Sequence, residues 1–270
     1  MKWIASVILV LVAAAASGQT GPPSQPAAPP APVVPSCTEL ATALSSLMRN
    51  DARLRDWATL NRYREANRSL SKPRPGDARV VFMGDSITDL WQQPRFGHFF
   101  ENPAFVDRGI SGQTTAQMLL RFRPDVIALE PKVVVILAGV NDIAGNTGPM
   151  TDEEIEGNLA SMSELARANG IKVILASVMP VSAYHFKAGS GGVPQTTTRP
   201  MARIIAINEW MKKYAGERGF EYLDYFSAMV DSSGALREDL SEDDLHPNIK
   251  GYDLMAPLAN AAIARSLKRQ

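Results

Sequence analysis

The chain has 270 residues, 45% of them hydrophobic, and its 28 basic and 28 acidic side chains cancel to a formal net charge of zero. That length and composition predict a single well-buried domain of the soluble globular kind. The charge balance offers no basic surface of the sort a polyanion seeks, so it argues against a nucleic-acid partner.

Taken in chain order, Lys2 is followed by the apolar run Trp3 to Ala16 and the small residues Ala16-Ser17-Gly18. This pattern predicts a cleavable secretory signal over residues 1–18, shorter than the roughly 20 apolar residues of a membrane span. An uncleaved anchor is the alternative. Residues 19–36 read as a proline-rich linker. Seven of the fifteen residues from Gly21 to Pro35 are proline and none is charged, which favours an extended spacer over a core. Cys37 is the only cysteine, so no intramolecular disulfide can form.

Residues 37–76 read as a helical preface on the outside of the domain. Leu40, Leu44, Leu47, Leu54, Trp57 and Leu60 recur at helical spacing from Thr38 to about Leu70, and Pro73, Pro75 and Gly76 end the pattern. Residues 77–270 then alternate. Val80 to Met83, Val133 to Ala138 and Val173 to Ser177 are short β-branched runs that suit strands buried on both faces. Phe105-Val106 and Phe220 to Leu223 are weaker strand candidates. Thr151 with Glu154 forms a capping box, Gly170 suits a helix end, Pro200 opens a further helix, and Asn248 caps a last one that Pro257 should kink. Such alternation implies parallel strands with right-handed crossovers, hence a three-layer α/β/α domain whose ligands bind at the carboxyl ends of its strands.

The chemistry-bearing residues fall at those ends. Ser86 in Gly84-Asp85-Ser86 follows the first strand, where a helix start would present free N–H groups to a developing oxyanion, although the same tripeptide also reads as an ordinary helix cap. Gly109-Ile110-Ser111-Gly112-Gln113-Thr114-Thr115 follows the second strand with accessible backbone N–H groups, or is simply a turn capped by Thr114. Gly139-Val140-Asn141-Asp142 ends the third strand. There Asn141 reads first as a turn-former and second as a neutral donor, and Asp142 as a cap or scaffold group. Asp243 and His246 are three apart, so a turn can bring the carboxylate to one ring nitrogen while the other faces Ser86; Asp244 would need a tighter turn. His98 reads as structural, and His185 as a residue of a long loop from Val181 to Arg199. No metal-ligand spacing or phosphate-binding loop occurs in the sequence, so the chemistry is expected to need no cofactor.

In order and spacing, Gly84-Asp85-Ser86, Gly109 to Thr115, Gly139 to Asp142 and Asp243-x-x-His246 resemble the four motifs of the SGNH or GDSL hydrolase superfamily, over about residues 78 to 265. The similarity is strongest to its bacterial lysophospholipase-like and platelet-activating-factor-acetylhydrolase-like branch. The resemblance implies a flavodoxin-like, mainly parallel five-stranded sheet and hydrolysis of acyl esters. It further implies Ser86 as nucleophile, Gly112 and Asn141 as oxyanion donors, His246 as base and Asp243 as its orienter. Asp107 departs from the asparagine that such proteins often carry before the glycine loop. The expectation is therefore a secreted or periplasmic serine esterase for short-chain acyl, O-acetyl glycan or lysophospholipid esters, with no stable membrane span after signal cleavage. Acyl transfer to a sugar hydroxyl and a non-catalytic binding module are the alternatives. Because a base must be neutral imidazole, activity should fall on the acid side of neutrality, and a flat rate from roughly pH 5 to 8 would contradict that assignment.

Overall fold

The computed structural model describes residues 36–269. The expected signal, 1–18, and all of the expected linker but its last residue lie outside the described residues. The chain divides between Leu47 and Met48 into two units, and the sheet lies wholly in the second.

Five strands form that sheet: β1 (Val80–Gly84), β2 (Phe105–Gly109), β3 (Val133–Leu137), β4 (Lys172–Ala176) and β5 (Glu221–Leu223). Every pairing is parallel and the order is β2-β1-β3-β4-β5, the flavodoxin-like arrangement that the resemblance implied. Strands β1 and β3 are buried along their whole length, because helices cover both faces and the runs Val-Val-Phe-Met and Val-Val-Val-Ile-Leu leave no polar side to turn outward. Each such side chain contributes about 1.5–3 kcal/mol by leaving water. The two weaker strand candidates are real. Asp107 and Arg108 lie inside β2, and Glu221 opens β5 with its carboxylate 2.7 Å from Arg265 Nε, so charge interrupts the apolar pattern in each.

The helices start where their caps dictate. Thr151 Oγ1 accepts the Glu154 N–H at 3.2 Å while Glu154 Oε2 accepts the Thr151 N–H at 2.8 Å, which fixes the start of the Asp152–Ala168 helix. Asn248 Oδ1 accepts the Gly251 N–H at 3.1 Å and opens the Ile249–Lys268 helix, which runs on through Pro257. The helical preface read from Thr38 to about Leu70 consists of two helices, Cys37–Arg55 and Arg64–Ser69. Asp56 separates them. Its carboxylate accepts the N–H groups of Leu60 and Asn61 at 2.7 and 3.0 Å, drawing the chain into a turn in which Thr59 has a φ of +57°. The apolar stripe read there does not become core, since Leu54, Trp57 and Leu60 are all exposed.

One close approach governs how β2 meets the rest. A Cβ on Gly109 would stand 2.2 Å from the Asp89 amide nitrogen and 2.7 Å from Asp89 Cα, so the backbone following β1 can lie against β2 only because residue 109 has no side chain. Gly109→Ala should lower stability by about 1–3 kcal/mol or more through overpacking against backbone that cannot yield. Urea denaturation midpoints of the two proteins check this, and equal midpoints would contradict it.

Candidate active site

Strand β1 delivers Ser86. Its last residue, Gly84, is followed by Asp85, whose Oδ1 accepts the Ile87 N–H at 3.0 Å and caps the short helix Ser86–Trp91. That helix is fixed from the far end of the chain, where Tyr252 Oη donates to the Ile87 carbonyl at 2.8 Å and the Tyr252 ring stacks on Trp91 at a centroid distance of 5.3 Å. Trp91 in turn stacks on Phe99 at 4.1 Å. Since Tyr252 lies in the helix that follows His246, the same contacts set the distance between the two motifs.

Across 160 positions of sequence, His246 Nε2 lies 2.9 Å from Ser86 Oγ. Its other ring nitrogen, Nδ1, is 2.7 Å from Asp243 Oδ2, while Asp243 Oδ1 accepts the backbone N–H groups of His246 and Leu245 at 2.8 and 3.1 Å. Partial burial works to raise the Asp243 carboxyl, but the hydrogen bonds from the His246 side chain and backbone outweigh it and hold the carboxyl well below the usual range. An ionised carboxylate only accepts, so Nδ1 carries the proton and Nε2 is left to accept from the Ser86 hydroxyl. Asp244 is spent elsewhere: buried at a φ of +69°, its Oδ1 accepts from Ser182 Oγ at 2.6 Å and stands 3.1 Å from His185 Nδ1. His185 is thus tied to the turn that carries His246 rather than to Ser86, and His98 is exposed and paired with Glu101 at 2.6 Å. Beside His246 lies a cleft of about 470 Å³ walled by Leu90, Phe96, Pro247 and Ile249, with Arg95 at its edge.

The two remaining motifs meet each other. Asn146 Nδ2 donates to Asn141 Oδ1 at 3.0 Å and to the Gly112 carbonyl at 3.1 Å, and Asn141 Nδ2 donates to the Gln113 carbonyl at 3.0 Å. Gly112 has a φ of +80°, which a residue with a side chain rarely adopts. The loop is joined to the Ser86 helix by Asp89, whose Oδ2 accepts from the Ser111 N–H at 3.1 Å and from Ser111 Oγ at 2.5 Å. Asp142 takes the scaffold place expected of it, accepting the Thr115 N–H at 2.9 Å.

Asn146, Asp89 and Arg121 escaped the sequence reading. Arg121 is wholly buried and donates to the carbonyls of Arg108 at 2.8 Å and Gly84 at 3.0 Å, with Asp125 Oδ2 at 3.1 Å as its counter-charge. Its only sequence signal was an Asp four residues on, which also fits a solvated helix pair.

The all-parallel five-stranded sheet, with the Ser86–His246–Asp243 contact at its carboxyl edge, is the fold of the SGNH or GDSL hydrolases. Residues 82–254 match the GDSL-like Lipase/Acylhydrolase family, and the chain belongs to it. An inferred acylhydrolase from Bacteroides fragilis NCTC 9343 shares 42% identity with a TM-score of 0.70 over 78% of this chain and 99% of that one. A GDSL-like lipase from Bacteroides thetaiotaomicron VPI-5482 shares 41% identity with a TM-score of 0.68 over 77% and 98%. Esterase TesA of Pseudomonas aeruginosa is 45% identical over 107 residues, 38% of this chain and 51% of that protein. The chain spans between 34% and 51% of the length of the curated relatives it matches.

Two buried carboxylates flank the strand ends. Burial pushes Asp85 up to about 6 and Asp107 up to about 7, against the single backbone N–H that each accepts. The unfolded chain releases the Asp107 proton near ~3.9, so from there to about 7 the folded protein holds more protons than the unfolded one. The stability contributed by neutral Asp107 is therefore fully present below the unfolded value and is lost as pH rises through about 7. Asp107→Asn cannot titrate. The melting temperature of the unaltered protein should fall more steeply than that of the variant between about pH 4.5 and 8. Parallel melting curves across that window would contradict the assignment.

Proposed function

We propose that the chain is a serine esterase that hydrolyses carboxylic acyl esters through an acyl-enzyme. The observation that carries this reading is the unbroken chain from Asp243 Oδ2 to His246 Nδ1 at 2.7 Å and from His246 Nε2 to Ser86 Oγ at 2.9 Å. Membership of the acylhydrolase family supports an ester as the bond cleaved.

Ser86 Oγ attacks the ester carbonyl carbon as its proton passes to His246 Nε2, and the imidazolium so formed is stabilised by Asp243, which stays ionised. The carbonyl oxygen becomes an oxyanion held by the N–H groups of Ser86 and Gly112 and by the Asn141 amide. Asn146 fixes the oxygen of that amide and Gln113 takes one of its two N–H groups, which leaves the other for the oxyanion. Collapse expels the alcohol oxygen, which takes the proton from His246. Water, deprotonated by the same nitrogen, then releases the acid and restores Ser86.

The expected signal over residues 1–18 assigns this activity to a secreted or periplasmic protein with residues 77–270 as its catalytic domain. No described helix is long and apolar enough to cross a membrane.

Ser86→Ala should abolish hydrolysis of p-nitrophenyl acetate with the circular dichroism spectrum intact, and Asn141→Ala should lower kcat by roughly 10²- to 10³-fold. Undiminished turnover in the serine variant ends the proposal.

A further inference from the structure

Trp57 reads from the sequence as one more apolar position of a packed helix, and the structure puts it elsewhere. It lies in the turn after Arg55, 42% exposed, although its backbone is firmly held. Gln117 Nε2 donates to the Trp57 carbonyl at 2.6 Å, and Gln113 Nε2 to the Ala58 carbonyl at 2.8 Å. The turn is thus fastened across the loop that contains Gly112. Between them opens a cleft of about 480 Å³, a size that suits a small ligand, and Gly112 itself lines it.

The lining of this cleft narrows the ligand. Besides Trp57 it presents Thr59, Ser111, Gln117, Asn146 and Thr147, which are hydroxyls and amides. No aliphatic side chain lines it, so an acyl chain gains little by entering. No lysine or arginine lines it either, and Asp56, its one charged residue, accepts backbone N–H groups from Leu60 and Asn61, so a phosphate or carboxylate meets no counter-charge. What remains is a neutral polyhydroxyl ligand with one apolar face. A pyranose fits that description: its C–H face packs on an exposed indole while its rim of hydroxyls exchanges hydrogen bonds with amides and hydroxyls.

We propose that Trp57 and this cleft form a saccharide subsite beside the catalytic centre, and that the ester hydrolysed is carried on a neutral glycan rather than on a lysophospholipid. This deepens the esterase reading and rests on it for the reaction, while the binding itself needs no turnover. Trp57 and Thr59 lie outside residues 82–254, so the aromatic wall of the subsite is not part of the matched family segment, whereas the facing wall from Ser111 to Thr147 is.

The test uses the full chain with Ser86→Ala, titrated calorimetrically with unacylated xylohexaose and cellohexaose. At least one should bind, and adding Trp57→Ala should weaken that binding about five- to tenfold. Trp57→Phe, which keeps an aromatic face, should stay within about threefold of the parent and guards against a folding defect. In the active protein, Trp57→Ala should raise KM for an acetylated xylo- or cello-oligosaccharide by a similar factor. Binding of neither hexasaccharide, or equal binding with and without Trp57, overturns the subsite even where p-nitrophenyl acetate is hydrolysed. Failure of the unaltered protein on both esters overturns the esterase reading instead.

Discussion

The arrangement depends on one constraint, the level ending of three parallel strands. Gly84 at the end of β1 is in register with Gly109 of β2 on one side and with Leu137 of β3 on the other. The segments that carry Ser86, Gly112 and Asn141 therefore leave the sheet at the same height and on the same edge. Arg121 reinforces this from below, since its guanidinium donates to the last carbonyl of β1 and to the Arg108 carbonyl one residue short of the end of β2. A buried cation is costly unless it is paired and hydrogen-bonded; Asp125 supplies the counter-charge, while those two carbonyls and Gln113 Oε1, which accepts from Arg121 Nε at 2.5 Å, take its other bonds. A slip of one residue between β1 and β2 would cost Arg121 a partner, and a slip in either pairing would carry a loop away from the others.

His246 arrives by a different route, and its position is set by the aromatic contacts. The helix after it places Tyr252 against Trp91 and the Ile87 carbonyl, so the packing that buries these rings also fixes the 2.9 Å contact with Ser86. Around His246, the neighbouring carboxylates divide the work. Asp243 orients the imidazole, and Asp244, in a left-handed conformation that aspartate tolerates better than most residues, ties the turn to Ser182 and His185. Their alternation in sequence makes this division possible, because only one of two adjacent side chains can face the ring.

Much of this was legible in the sequence. Val80 to Met83 and Val133 to Ala138 are continuous β-branched and apolar runs, and such runs identify strands covered on both faces. Thr151 with Glu154 marked a helix start, and the spacing of Asp243 and His246 marked a turn, because both are local interactions written within a few residues. The broken preface was not legible in the same way. Helical periodicity across Trp57 and Leu60 is a weak preference, and the Asp56 carboxylate overrides it with two backbone hydrogen bonds. Asn146 and Arg121 were hidden for another reason. Each reaches a backbone carbonyl brought near only by the fold, that of Gly112 for Asn146 and that of Gly84 for Arg121, and a carbonyl leaves no mark in an amino-acid sequence.

Ser86 Oγ is the atom proposed to carry the acyl group. Intact-mass and peptide-mapping spectrometry after exposure to a fluorophosphonate tests this role most directly. A single adduct is expected, on Ser86, formed in the unaltered protein and suppressed by His246→Ala. An adduct on another residue such as Ser111, or ester turnover that persists with Ser86 unlabelled after complete exposure, would contradict it.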